Sequence, residues 1–164
     1  PKIYLELGIH RGETFKKVKK WAEYCVGVDI DEQYRIPDDE KSSIWICPTN
    51  DFFEDFKNTK IKALENKMVD MVFIDACHEY DSALRDFKSS LKILNKGGCI
   101  ILHDTDPKSD KYTEPNLCGD SYKIVNKIEN NKELNIITLP CREAGVSIVT
   151  RKGETRTQLR LATG

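Results

Sequence analysis

Glu6-Leu7-Gly8-Ile9-His10-Arg11-Gly12-Glu13-Thr14 is the stretch on which the reading of this chain turns. It follows the apolar run Ile3-Tyr4-Leu5 and precedes a segment of helical periodicity, so it reads as the turn from a first strand into a first helix. Gly8 and Gly12 lack a Cβ, which lets the backbone turn tightly and approach a ligand. A pyrophosphate loop would need Gly-x-Gly-x-x-Gly, but His10 and Glu13 stand where its second and third glycines belong. A phosphate loop ending in Gly-Lys-Ser/Thr is also absent. The acids Glu6 and Glu13, in and beside the loop, repel phosphate and favour a cationic ligand. An ordinary strand-to-helix turn would show the same glycines, so its surroundings must decide.

Working outward, short apolar runs alternate with helical patterns. The runs are Ile3 to Leu5, Cys25 to Ile30, Ile44 to Cys47, Met68 to Ile74 and Cys99 to Leu102. Continuous apolar strands of this kind suit a parallel sheet covered on both faces. Residues 13–23 put Phe15, Val18 and Ala22 on one face, and residues 81–95 align Leu84, Phe87, Leu91 and Leu94, both at helical spacing. Lys96-Gly97-Gly98 is read as the stop between that helix and the next strand. A further helix is expected at about 119–132. The polar stretch 31–43, with Pro37-Asp38-Asp39, leaves a short or missing helix. Leu134 to Leu139 and Gly145 to Arg151 then read as an antiparallel hairpin joined by Pro140 to Ala144, closing one sheet edge. The expected fold is α/β: a Rossmann-like, doubly wound, mostly parallel seven-stranded sheet with an antiparallel C-terminal hairpin strand. One domain is expected over 1–152, followed by a disordered tail at 153–164.

In such sheets the ligand lies outside the carboxyl ends of the strands. After the second strand comes Asp29, 21 residues beyond Gly8, at the spacing where an acid accepts hydrogen bonds from ribose hydroxyls. After the third come Asn50 and Asp51, which can meet an adenine edge; Asp51 can also cap the next helix. After the fourth comes Asp75-Ala76-Cys77-His78, an acid and a histidine able to share one cleft, with His78 suited to general-base work near neutral pH. After the fifth come His103 and Asp104. Asp75 and Asp104 on adjacent strand ends can hold a hard divalent cation through oxygen ligands. The loop from Asp106 to Gly119 is long for a compact domain and is read as a substrate lid.

Composition sets the boundaries. In 164 residues, 26 Lys and Arg balance 27 Asp and Glu, and no basic run carries interleaved aromatics, so the electrostatic footprint of a nucleic-acid binder is missing. No apolar stretch approaches the roughly 20 residues of a membrane span, and no signal peptide is seen. The chain opens at Pro1 almost inside a strand, so native residues are expected to precede it. The six cysteines form no CxxC pair, and the several that sit inside apolar runs read as buried small hydrophobes of a reduced, cytoplasmic protein.

Taken together, these residues resemble the class I S-adenosylmethionine-dependent methyltransferases. The second half is similar to the methyltransferase domain 24 branch, related to macrocin-type sugar and catechol O-methyltransferase-like enzymes. The likeness there lies in Phe73 to Tyr80, Leu84-Arg85-Asp86, Leu94 to Gly98 and Leu102-His103-Asp104. The resemblance implies S-adenosylmethionine held by Glu6, Gly8, His10, Gly12 and Thr14 of the loop, by Asp29 and Ile30, by Asn50 and Asp51, and by Asp75. It implies a catalytic group of His78, Asp75 and His103, with magnesium on Asp75 and Asp104. The acceptor is expected to be a hydroxyl of a small molecule or sugar, with no nucleic-acid or membrane partner. A homodimer is compatible with it. His103 stands where the metal-binding relatives place an acid or an amide, and this leaves the third metal ligand open. Three rival readings use the same residues: a nicotinamide-dependent oxidoreductase, a metal-dependent hydrolase, and a non-catalytic nucleoside-binding module.

Overall fold

The structure, a computed structural model, describes residues 1–34 and 36–154. Seven strands form one sheet: β1 (Ile3–Leu7), β2 (Tyr24–Asp29), β3 (Ser42–Ile46), β4 (Val69–Ile74), β5 (Leu94–His103), β6 (Leu134–Leu139) and β7 (Val146–Arg151). Their order is β3-β2-β1-β4-β5-β7-β6. The first five run parallel, while β7 lies antiparallel between β5 and β6, so the expected hairpin closes the edge. Chain order reverses between β1 and β4, which opens the crevice where doubly wound sheets take their ligands.

Alternation along the strands sorts side chains onto two faces. Leu5, Leu7, Val26, Val28, Val72, Ile74, Ile100 and Leu102 build the larger core, against Phe52 and Phe56 of α2 (Thr49–Phe56), Phe87 of α3 (Tyr80–Ile93), and Ile124 and Ile128 of α4 (Ile124–Glu129). Tyr4, Cys25 and Ile44 face the other way, onto Phe15 of α1 (Glu13–Val18). On this second face Met71, Phe73, Ile101 and Ile148 are only half-buried, since a single described α-helix covers it.

Several elements depart from their expected spans for local reasons. The final helix begins at Ile124, after a 3-10 turn at Ser121–Lys123, because the N–H groups of Asp120 and Ser121 donate to the His78 carbonyl before any helix forms. The first helix stops at Val18; the chain must enter β2 at Tyr24, where the Glu23 and Tyr24 N–H groups bond the Lys2 carbonyl. Lys96-Gly97-Gly98 is not the helix stop. Helix α3 ends at Ile93, and the glycines lie inside β5, where a Cβ on Gly98 would come within 2.8 Å of the Asp70 carbonyl oxygen. The C-terminal carbonyl of Leu91 in α3 is instead met by the Arg151 guanidinium from β7, which also donates to the Leu94 carbonyl at 3.1 Å. At the other end of α3, Asp120 accepts the Tyr80 N–H at 2.7 Å, a cap supplied from 40 residues away.

Between β2 and β3 the described residues form no α-helix: they carry a 3-10 turn at Glu32–Tyr34 and a bridge between Asp39 and Ser42, as the composition of this stretch implied, and β3 already begins at Ser42. Within the stretch 153–164 expected as a tail, Glu154 accepts the Gly97 N–H at 2.8 Å and pairs with Arg151. Its remainder, 155–164, lies outside the described residues. All six cysteines are free thiols: Cys25 and Cys118 are buried, Cys47 and Cys99 half-buried, and Cys77 and Cys141 exposed. No described helix is long and apolar enough to cross a membrane.

Candidate active site

The carboxyl ends of β1, β2, β4 and β5 open into one cavity of about 760 Å³. Each wall has a local cause. Gly8 sits at φ 85, in the left-handed region, and a Cβ there would lie 2.1 Å from the Asp75 carbonyl oxygen. Only glycine lets the loop after β1 press against the loop after β4 in this way. The loop is then tied to β2: Asp29 Oδ2 accepts the N–H groups of Ile9 at 2.9 Å and His10 at 2.8 Å, while Oδ1 accepts that of Asp31 at 3.0 Å.

Of the expected cofactor residues, Gly8, His10, Asp29, Ile30, Asn50 and Asp75 line the cavity. Ile30 is 74% exposed in its mouth. Four do not line it. Glu6 follows Tyr4 at the two-residue period of β1, which turns it onto the α1 face; there it accepts the Tyr4 hydroxyl at 2.6 Å and is 2% exposed. Burial pushes its carboxyl up to about 7, against the Tyr4 hydrogen bond, and the Phe15 N–H points at the same group. Glu6 is thus an internal acceptor at the start of α1, whose N-cap, Gly12, has no side chain to offer. Gly12 and Thr14 belong to that helix start and not to the cavity wall. Asp51 lies within the first turn of α2, where its charge suits the helix dipole, but Pro48 holds the N-cap position.

The loops after β4 and β5 converge. His78 Nε2 lies 3.2 Å from Asp104 Oδ2 and 3.8 Å from Asp75 Oδ1. His103 Nδ1 lies 2.9 Å from Asp104 Oδ1 and 3.3 Å from Asp75 Oδ1. Burial alone would raise the Asp75 carboxyl, but the imidazoles of His103 and then His78 outweigh it and hold the group below its ordinary value. Asp75 contributes most to raising His78, with Asp104 adding to it against burial. Asp104, then Asp75, push His103 up to about 10. Even so, buried His103 Nδ1 has no partner in hydrogen-bond geometry. One ligand atom each from Asp75, His78 and Asp104 falls within 4.8 Å of the others, close enough for one metal ion. The orphaned nitrogen and two carboxylates form a donor set that fits a divalent cation.

Sequence reasoning missed Ser82 and Arg85, which line the cavity from α3. They stand three residues apart, the spacing of one helical face, on the helix that follows the Asp75–His78 turn, which was the available signal. The loop from Asp106 to Gly119 supplies Tyr112, Leu117 and Cys118 to the wall. It is stitched down at both ends, by Asp106 N–H to the Ala144 carbonyl at 2.8 Å and by Asp120 N–H to the His78 carbonyl at 3.0 Å. Glu143, from the turn of the β6–β7 hairpin, completes that side.

A family model described as a methyltransferase domain matches residues 5–105, a span that runs from the first strand through Asp104. The chain belongs to the methyltransferase domain family. The match covers the Gly8 loop, Asp29, Asp75, His78 and the His103-Asp104 pair, so the matched span contributes to both halves of the cavity. No curated protein matches this sequence. Solved structures share the methyltransferase fold at low identity. An O-methyltransferase from Bacillus cereus, in complex with SAH, superposes with a TM-score of 0.71 at 14% identity, over 92% of this chain and 74% of that one. The O-methyltransferase TomG from Streptomyces achromogenes, involved in tomaymycin synthesis and solved with SAM, gives 0.69 at 12%, over 93% and 74%. An rRNA methylase from Streptococcus thermophilus gives 0.64 at 8%, over 92% and 86%.

Proposed function

We propose that this methyltransferase domain binds S-adenosylmethionine across the Gly8 loop and Asp29, and moves its methyl group to a hydroxyl of a small molecule. The observation that carries the reading is that one cavity joins the Gly8–Asp29 cradle to the Asp75–His78–His103–Asp104 cluster. The cofactors named with the B. cereus and TomG structures support the choice of cofactor. On this reading Asn50 and Ile30 take the adenine side and Asp29 the ribose, which is supported by all three lining the cavity.

The sulfonium is the methyl donor. The S–CH₃ bond breaks with its electron pair staying on sulfur, and an oxygen lone pair of the acceptor forms the new O–CH₃ bond. Little covalent help is needed; the protein contributes orientation, bringing the two atoms to roughly 3 Å in line. The hydroxyl proton passes to His78 Nε2, whose neighbour Asp104 stabilises the imidazolium that results. Asp75 and Asp104 would also hold a divalent cation, which supplies Lewis-acid polarisation of the acceptor oxygen when bound.

Nucleic acid as acceptor is disfavoured by a net charge of −1 and by a cavity lined by Asp29, Asp75, Asp104 and Glu143 as well as Arg85. A dehydrogenase reading leaves His10 unexplained in the position of a pyrophosphate-admitting glycine. The test is transfer of labelled methyl from S-adenosylmethionine to a panel of vicinal diols, sugars and phenols. Label should appear on at least one acceptor, and His78→Ala, shown to be folded, should lower turnover by roughly 10²- to 10⁴-fold. Full turnover in that variant would remove His78 as the base.

A further inference from the structure

We propose that His103 provides a nitrogen ligand, through Nδ1, to a divalent metal shared with Asp75 and Asp104, and that the centre therefore selects a first-row transition ion over magnesium. The inference rests on the metal-assisted form of the function proposed above and names the ion class.

Consecutive residues of a strand point to opposite faces, so His103 and Asp104 ought to diverge. They do not, because β5 ends at His103 and Asp104 takes φ 58, a left-handed conformation uncommon for a non-glycine residue. That turn swings the Asp104 carboxylate, 5% exposed, back to within 2.9 Å of His103 Nδ1. From the neighbouring strand, Asp75 Oδ1 reaches the same nitrogen at 3.3 Å. The Phe73 ring stands edge-on to the imidazole, with centroids 6.2 Å apart, and fixes its plane.

The arrangement leaves a buried ring nitrogen between two carboxylates with no hydrogen-bond partner. Such a group is costly to bury unsatisfied. A metal ion between the carboxylates would give that nitrogen a partner. An ion bound at about 2.1 Å sets adjacent ligand atoms roughly 3.0 to 3.4 Å apart, and the two separations around Nδ1 fall close to that range. Magnesium is bound through oxygen, whereas imidazole suits zinc, iron, nickel and copper-type ions. His78, 32% exposed on the cavity side and nearest the other Asp104 oxygen, keeps the role of base. It is also the competing nitrogen ligand, and the test separates the two.

Chelator-stripped protein is titrated with Co²⁺ and with Mg²⁺ by calorimetry, and the Mn²⁺-loaded protein is examined by pulsed EPR for imidazole nitrogen. The variants are His103→Ala, His103→Asp and His78→Ala, each checked by thermal melting. The wild type should bind Co²⁺ and show the nitrogen signal. His103→Ala should weaken Co²⁺ by at least roughly tenfold, erase the signal, and leave Mg²⁺ affinity nearly unchanged. His103→Asp should shift preference toward Mg²⁺, and it carries the comparison if the alanine variant melts early. Unchanged Co²⁺ affinity in His103→Ala, loss of the nitrogen signal only in His78→Ala, or no ion bound by folded wild type would each overturn the assignment. S-adenosylhomocysteine is titrated into the same samples: a chain that binds the nucleoside but does not bind Co²⁺ defeats the metal centre alone, whereas failure of the nucleoside to bind defeats the methyltransferase reading.

Discussion

Asp29 Oδ2 accepts the backbone N–H of His10 at 2.8 Å, so the acid at the end of β2 fixes the loop at the end of β1. The same oxygen takes the Ile9 N–H, which leaves Asp29 both as a loop anchor and as the acid facing the cavity. Asp29→Ala should therefore fail twice, by loosening the loop and by removing the ribose acceptor. Hydrogen bonds to a charged group are worth about 1.5–3 kcal/mol each, so nucleoside affinity should fall by at least tenfold. Calorimetry with S-adenosylhomocysteine checks this, and Asp29→Asn should retain part of the binding. An alanine variant that binds as tightly as wild type would remove Asp29 from the site.

Gly8→Ala should be among the most damaging small substitutions in the chain. Its Cβ would lie 2.1 Å from the Asp75 carbonyl oxygen and 2.8 Å from the Ala76 Cα, both backbone atoms that cannot step aside. The φ of 85 adds a left-handed penalty to this overpacking. The two together predict a loss of roughly 2–5 kcal/mol, read as a lowered denaturant midpoint. A variant of wild-type stability would mean that the two loops are not pressed together.

Glu6 makes stability depend on pH. Its folded carboxyl sits at about 7 against an ordinary 4.5, mainly through burial. Between those values the folded chain keeps a proton that the unfolded chain releases. The contribution is therefore complete below about pH 4.5 and is lost as pH rises through 7, amounting to on the order of 3 kcal/mol. Glu6→Gln mimics the protonated form and should flatten this slope. Urea unfolding at about pH 5 and about pH 7.5 measures it; equal slopes in both proteins would show that Glu6 titrates normally.

Asp120, just after the 106–119 loop, ties that loop to the turn bearing His78 by capping Tyr80, the first residue of α3. Asp120→Ala should cost about 1 kcal/mol of stability as a lost cap. It should also lower kcat while sparing S-adenosylhomocysteine affinity, because the turn it holds carries His78 and not the cofactor cradle. A fall in nucleoside affinity with unchanged kcat would contradict that division.

The sheet was legible because its signal is periodic. Apolar runs at Cys25, Ile44 and Met68 mark parallel strands wherever helices cover them, and Leu134 to Leu139 matched β6 residue for residue. The edge bearing the site was legible for the same reason: Asp29, Asp75, His78, His103 and Asp104 all stand just beyond predicted strands and line one cavity. Direction of side chains was not legible. Glu6 looked like a loop acid, but the two-residue period of β1 buries it beneath α1. Long-range caps were equally invisible, since Asp120 on Tyr80 and Arg151 on Leu91 join residues 40 and 60 apart. The convergence of His103 with Asp104 depends on one left-handed residue, which no pattern of residue types announces.

The central claim is that the Gly8–Asp29 cradle is an S-adenosylmethionine site, and its most direct test is calorimetric titration of the folded wild-type chain with S-adenosylhomocysteine, with NADH as control. The account predicts saturable binding of one nucleoside per chain, abolished or severely weakened in Asp29→Ala, and no binding of NADH. Tight binding of NADH with none of S-adenosylhomocysteine would contradict it.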